Sequence, residues 1–421
     1  MLDMKFVRSN YEDVKEKLLT RRVSPEIIDA FFNSEKKWRR SLQEVEELKA
    51  KRNQLIPKGK PTDAQREELK DLSNLIKLKQ EELDKAKLTF EEVALFIPNI
   101  PSLDCPVGIS ESDNKVVREV GNKPYFDFKP KSHHEIGVEL NLFDFDQAAT
   151  ITGSRFVVYH DQGALLERAL INFMLDTHIY DHEYKEAIPP VIVNSKALTG
   201  TGQLPKFSDD LFKINDTDFW LSPTAEVQLT NLFQNKIVKE SDLPINLVAY
   251  TPCFRKEAGS YGKDTKGLIR HHQFNKVELV KLVHPDNSTK MLEELLSHAE
   301  QILKLLGLAY RVVELCTADL GFSSAKTYDI EVWFPSQNCY REISSCSSFL
   351  DFQSRRAMIR YKEGSTGLVL FLHTLNGSGL AVGRTMAALL ENYQQADGSV
   401  VIPDVLSKYT RNKKWQITKN I

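Results

Sequence analysis

No stretch of this 421-residue chain approaches the roughly eighteen consecutive apolar residues that a membrane helix requires, so no spanning segment is expected. The opening run MLDMKFVRSNYEDVK is charged throughout and has no apolar core, so no export signal is read there. Cysteine is scarce: Cys105, Cys253, Cys316, Cys339 and Cys346 are five in all, scattered, and form no CxxC. That argues against a zinc ribbon or a disulfide framework and fits a reducing, cytoplasmic setting. Charge of one sign is lacking too. Lys and Arg number 56 against 58 Asp and Glu, a formal net charge of −2, so any contact with nucleic acid must come from a local patch. The remainder, 41% hydrophobic and 27% charged, describes a globular protein long enough for two or more domains and a large core.

The N-terminal quarter is rich in charge and carries narrow apolar seams. After a short predicted helix, Asn10 to Thr20, and a turn at Ser24-Pro25, the residues Trp38, Leu42, Val45, Leu48 and Leu55 step by three, four or seven. Leu69, Leu72, Ile76, Leu83 and Phe90 repeat the rhythm, with Lys79 interrupting it. Seams of this width belong to coiled coils. Between them Pro57-Lys58-Gly59-Lys60-Pro61 cannot stay helical, and Thr62 with Gln65 spells a capping box that restarts the helix. The expectation is an antiparallel two-helix hairpin projecting roughly 35–50 Å. Such a hairpin by itself is commonly an oligomerisation device. Its end, however, holds Lys49, Lys51, Arg52, Lys58 and Lys60 and no acidic residue between 49 and 60, as suits an arm that touches phosphates.

Pro98, Pro101 and Pro106 mark a linker, dividing an arm over residues 1–104 from a larger domain over 105–421. Beyond the linker, helix and strand signals intermix. His133 and His134 are adjacent, so their side chains diverge on any regular element, and a loop or helix start is preferred over a metal pair. Gly163 to Tyr180 has helical period, and Ile188 to Val193 reads as a strand entered through Pro189 and Pro190. Ser222-Pro223-Thr224-Ala225-Glu226 precedes a helix, where Ser222 and Thr224 can serve as caps. Thr251 to Leu279 reads as a hairpin: a strand bearing Arg255, Lys256 and Glu257, a basic loop with Gly259, Gly262 and Gly267, and a second strand through Phe274 and Glu278. Glycines let the loop backbone approach phosphates that Lys263, Lys266 and Arg270 neutralise. Glu342-Ile343-Ser344-Ser345 follows a strand over Ile330 to Phe334; carboxylate and hydroxyl oxygens there suit Mg²⁺. Simple alternation places Glu342 and Ser345 on opposite faces, so both can bind one ion only if the strand is irregular. Arg355, Arg356 and Arg360 fall on another strand-like run. Finally, a glycine-rich strand from Leu375 through Ser378 runs into a helix carrying Arg384, without the lysine of a P-loop.

These stretches together resemble the class II aminoacyl-tRNA synthetases. Pro190 matches motif 1, the Arg255–Glu257 hairpin motif 2, and Arg384 motif 3. Thr224-Ala225-Glu226, GTGQLPKF from Gly200 to Phe207, and Glu342 to Ser345 are similar to the seryl-tRNA synthetase versions, and with the arm the resemblance covers essentially the whole chain. It implies an α+β fold, with an antiparallel sheet flanked by helices behind a coiled-coil arm, and a homodimer built on motif 1. It implies that Arg255, Glu342 and Arg384 are catalytic. It places L-serine against Thr224, Ala225, Glu226, Glu278 and Ser378. ATP is placed against Arg255, Lys256, Glu257, His271, Phe274, Glu342, Ile343, Ser344, Ser345 and Arg384, with Mg²⁺ on Glu342 and Ser345. The arm, through Lys49, Lys51, Arg52, Lys58 and Lys60, would grip tRNA(Ser), and tRNA(Sec) where an organism has one. Two other readings stay open: a class II enzyme for another amino acid, threonine being nearest, and a non-catalytic RNA-binding paralogue, against which Arg255, Glu342 and Arg384 speak.

Overall fold

In the computed structural model, which describes residues 1–57, 59–258, 266–410 and 414–419, the two seams become two long helices. Short helices α1 (Met4–Ser9) and α2 (Tyr11–Thr20) precede α3 (Pro25–Leu55) and α4 (Asp63–Ala94). Only α1 was not anticipated. The Thr62 hydroxyl accepts from Gln65 N at 3.3 Å and Gln65 Oε1 accepts from Thr62 N at 3.0 Å, closing the capping box. Val45, Leu72, Ile76, Leu83, Ala86 and Phe90 are buried along the seam. Lys79 sits in it by reaching Glu82 at 2.8 Å and Glu44 of the facing helix at 3.6 Å. At about 1.5 Å per residue the hairpin is about 45 Å long. Lys49, Lys51 and Lys60 are exposed and Arg52 half-buried near its tip; Lys58 lies outside the described residues.

The root of the arm is fastened to the rest of the chain. Val7, Val14, Leu18, Ile28 and Phe31 share an apolar cluster with Phe352. Arg21, at the end of α2, donates to four carbonyls, those of Asn99 and Ser324 at 2.8 and 2.9 Å and those of Leu320 and Gly321 at 3.0 and 2.8 Å. Burial brings this guanidinium down to about 10, which leaves it charged at neutral pH.

The larger part is built on an eight-stranded sheet. In chain order the strands are β1 (Lys115–Val120), β2 (Lys185–Glu186), β3 (Ile245–Phe254), β4 (Gln273–Val283), β5 (Tyr310–Glu314), β6 (Lys326–Phe334), β7 (Cys339–Leu350) and β8 (His373–Ala381). They lie side by side as β1-β5-β6-β7-β8-β4-β3-β2, antiparallel except where β2 joins β3. Both faces of the centre are covered, which is why β4 is buried from Lys276 to Val283. Val277 and Leu279 join the main core with the helices Ser288–Leu305 and Val382–Asn392. Val280 and Leu282, on the other face, pack with Ala225 and Leu229 of the helix Ala225–Asn231. On that second face the cover stops short of Phe274, Lys276 and Glu278, and the gap is the cleft described below. Gly377 lets the helix Ser288–Leu305 approach: a Cβ there would meet Leu295 Cδ2 at 2.4 Å.

Several expectations need correction. The run Ile188 to Val193 is not one strand; only Ile192–Asn194 pairs, with Phe219–Leu221, because two prolines cannot donate to a ladder. The helix expected from Gly163 to Tyr180 spans Asp161–Asp176 and loosens into a π-helical turn, Thr177–Asp181. β3 ends at Phe254, so Arg255 to Glu257 lie just past the strand, Glu257 with a φ of +54°. Arg355 and Arg356 belong to the helix Phe352–Ala357, not to a strand. Arg355 pairs with Asp351 and Asp3, and Arg356 donates to the carbonyls of Leu95, Thr199 and Leu204. Both fasten the arm root.

Replacing Arg21 with Met removes its donors from four carbonyls, three of them part-buried contacts. It should lower the unfolding free energy by about 2–4 kcal/mol in denaturant titration, while Arg40→Ala, which loses only an exposed pair with Glu44, should stay within about 0.5 kcal/mol.

Candidate active site

A cleft of about 670 Å³ opens over the ends of β4, β7 and β8 and takes in residues from the stretches 200–207, 224–226, 251–279, 342–345 and 375–384. At its floor are two carboxylates. Thr224 caps the helix Ala225–Asn231, its hydroxyl accepting from Glu226 N at 3.3 Å, and this turn directs Glu226 into the cleft. Gln353 Nε2 donates to Glu226 Oε1 at 2.6 Å. Glu278 comes from β4, opposite Ser378 of β8 in the ladder. Its Oε1 accepts from Asn376 Nδ2 at 3.0 Å, and Lys276 Nζ lies 2.6 Å from its Oε2. Burial, and then the neighbouring Glu278, push the Glu226 carboxyl up to about 7; Gln353, Lys276 and Arg255 oppose that rise. Two acids therefore share one nearby lysine at a site almost closed to water.

The opposite end is cationic. Arg255 donates to Pro223 O at 3.3 Å, and its guanidinium lies over the Phe274 ring, 5.2 Å from the centroid. Arg384, in the first turn of the helix Val382–Asn392, donates to Ile269 O at 3.1 Å and to Glu342 O at 2.8 Å, and lies 3.5 Å from Glu342 Oε2. Glu257 pairs with Arg270 at 2.6 Å. His271 Nε2 donates to Gly267 O at 2.9 Å, and burial lowers its imidazole to about 4, so the ring is neutral and supports the hairpin turn at the cleft wall.

The irregularity that Glu342 and Ser345 required is present. Ile330 pairs with Ser344 and Glu331 with Glu342, so Ile343 is an unopposed extra residue in β7. This bulge turns Glu342 and Ser345 to the same side. Both line the cleft, as does Ile343. The same bulge turns Ser344 away; its hydroxyl donates to Ser378 O at 2.7 Å. Behind Ser345 lies Asp329, whose Oδ1 is buried without a partner. Burial and Glu342 raise its carboxyl well above the usual range. Among the described residues no three His, Cys, Asp or Glu side chains form a metal cage. A carboxylate and a hydroxyl on one side of the cleft fit an ion that takes its other oxygens from substrate and water.

Two more of the anticipated residues do not reach the cleft with their side chains. Ala225 is fully buried and packs in the core under β4. Lys256, just past the end of β3, is exposed, its Nζ 5.8 Å from the Phe212 centroid. Gly259, Gly262 and Lys263 lie outside the described residues. Conversely, Lys276, Asn376 and Gln353 were missed. Lys276 was legible, since it shares the two-residue period of Phe274 and Glu278. Gln353 was not, being 127 positions from its partner.

This arrangement, a capped Glu226 facing a sheet carboxylate at one end and arginines from a hairpin and a helix start at the other, defines a class II aminoacyl-tRNA synthetase core. Residues 207–393 match the family model of the tRNA synthetase class II core domain (G, H, P, S and T), and residues 1–101 match that of the seryl-tRNA synthetase N-terminal domain. A serine--tRNA ligase of Desulfosudis oleivorans is 54% identical, covering 98% of this chain and 99% of that protein. Among solved structures, seryl-tRNA synthetase from Pyrococcus horikoshii complexed with ATP superposes with a TM-score of 0.94 at 35% identity, over 100% of both chains. The cytoplasmic serine-tRNA ligase of Naegleria fowleri in complex with AMP gives 0.89 at 29% identity, over 100% of this chain and 99% of that one. The chain belongs to the seryl-tRNA synthetase family.

Lys276→Met removes one of the charges that hold Glu226 down. A carboxyl raised above its unfolded value contributes stability below that unfolded value and loses it as pH climbs through the folded one. The stability deficit of the variant should therefore grow by about 1 kcal/mol between pH 6 and 8.5 in denaturant titrations, and a pH-independent deficit would contradict it.

Proposed function

We propose that the chain attaches L-serine to tRNA(Ser) in two steps, forming seryl-adenylate from serine and ATP and then passing the seryl group to the 3′-terminal adenosine. The observation that carries the reading is the polarity of one cleft, acidic at its floor and cationic at its mouth. An amino acid enters ammonium first. Glu226 and Glu278 accept from its ammonium and, with Ser378, from its hydroxyl, since both substrate groups are donors. Its carboxylate then faces the triphosphate.

In this reading the work is positioning and charge neutralisation. A serine carboxylate oxygen bonds to the α-phosphorus while the bond to the pyrophosphate oxygen breaks. Arg255 bridges the carboxylate and the α-phosphate, and Arg384 neutralises the departing pyrophosphate. Phe274 offers a ring face to adenine, and Glu257 an acceptor for its amino group. Glu342 and Ser345 would hold Mg²⁺, which when bound supplies positive charge to the phosphate oxygens. The ribose hydroxyl of tRNA next displaces AMP from the seryl carbonyl; no side chain here is assigned as its base.

Lys49, Lys51, Arg52, Lys58 and Lys60 at the arm tip are assigned to the phosphate backbone of tRNA(Ser), and of tRNA(Sec) where it occurs. A homodimer joined through the motif 1 segment accounts for Tyr180 and Ile188, large apolar side chains left 77% and 89% exposed there. Among the described residues no helix is long and apolar enough to cross a membrane, and the five free cysteines suit a cytoplasmic location.

ATP–pyrophosphate exchange without tRNA tests the first step. Serine should drive it and threonine should not; exchange driven by threonine instead would overturn the specificity. Replacing Lys49, Lys51 and Arg52 together with Gln should raise the KM for tRNA(Ser) tenfold or more, flatten its salt dependence, and leave exchange within twofold, measured by aminoacylation across a salt series.

A further inference from the structure

The glycine-rich stretch Gly200 to Phe207 lies beside the cleft and is given no part in either step above, and Gln353 touches no substrate position. Their contacts join them. Gln353 is wholly buried in the helix Phe352–Ala357. Its Nε2 donates twice, to Glu226 Oε1 at 2.6 Å and to Thr201 O at 3.2 Å. Its Oε1 accepts from the Thr374 hydroxyl at 2.7 Å. Because Thr201 O can only accept, the amide has one orientation that satisfies every partner, and that orientation points an N–H at Glu226. Thr201 O is held in turn by Ser323 Oγ at 3.0 Å. The chain turns away directly afterwards at Gly202, whose φ is +94° and where a Cβ would meet Ser323 Oγ at 2.1 Å. Glycine at this position lets the Thr201 carbonyl face inward.

We propose that Gln353, locked by Thr374 and the Thr201 carbonyl, is the positioning residue that aims Glu226 at the substrate ammonium and keeps its carboxyl in the acceptor form. The inference rests on the serine-site reading above and adds to it the group that sets the geometry and protonation of that site. Every charge facing Glu226 belongs to the cleft: Glu278 and Lys276 on β4, and Arg255 beyond β3. Glu278 opposes ionisation of Glu226, whereas the two cations and the Gln353 amide favour it. Removing a donor 2.6 Å away from an acid this buried costs the charged form more than the neutral form. Serine binding should then need a higher pH. ATP, bound at the other end, should not notice.

Pyrophosphate exchange by full-length Gln353→Met, nearly isosteric and without a donor, tests this against the parent at pH 6.5 to 8.5. The KM for serine should rise about tenfold at pH 7, the rise should shrink toward pH 8.5, and the KM for ATP should stay within twofold. Thr374→Val, which leaves Nε2 in place but frees the amide to turn, should shift the serine KM the same way by about threefold, and it reports even if Gln353→Met does not fold. Gln353→His, which can restore one N–H toward Glu226, should recover part of the loss. Equal rises in both KM values, or a serine KM within twofold of the parent for the folded variants, would overturn the proposal. Failure of the serine-site reading is distinguishable, because then the parent itself shows no serine-driven exchange.

Discussion

Glu226 and Glu278 lie on one buried floor with a single lysine between them, and much of the catalytic body is arranged so that this imbalance can exist. A lone buried carboxylate would simply take up a proton. Here one acid is held by Lys276 and Asn376, while the other has an amide donor and a raised proton affinity. In the proposed reading, a substrate ammonium is the cation that completes the set. The antiparallel sheet makes this possible, since β4 and β8 present Glu278, Asn376 and Ser378 on the face away from the helix Ser288–Leu305.

The other end of the cleft depends on a different device, one extra residue. Without the bulge at Ile343, Glu342 and Ser345 would face opposite sides of β7, and Ser344 would compete for the cleft. With it, two hard oxygen donors stand beside Arg384, whose own position is fixed by the Ile269 and Glu342 carbonyls. Backbone acceptors hold Arg255 and Arg384 in place, so in the proposed adenylate formation little reorganisation would accompany the movement of charge.

How much could be read beforehand followed from the range of the interactions. The seams of the arm and the Thr62–Gln65 capping box are local and were legible to the residue. So was the need for an irregularity near Ser345, because the period of a strand is fixed even when its breaks are not. Ile188 to Val193 misled, since its apolar residues suggested a strand that its prolines forbid. Ala225, Lys256 and Ser344 came in with motifs whose neighbouring positions line the cleft; which way the side chains turn depends on the helix cap, the end of β3 and the bulge, which motif matching does not show. Gln353 and Arg21 carried no local signal at all, as their partners are brought to them only by the tertiary fold.

If the floor of the cleft is, as proposed, an ammonium site poised by Glu226, serine binding must move protons, and titration calorimetry of the parent protein in buffers of different ionisation enthalpy reads that movement. With Glu226 near 7, binding at pH 7 should release about half a proton, and the release should decline as pH rises to 8. Binding with no buffer dependence at pH 7, or with proton uptake there, would contradict the account.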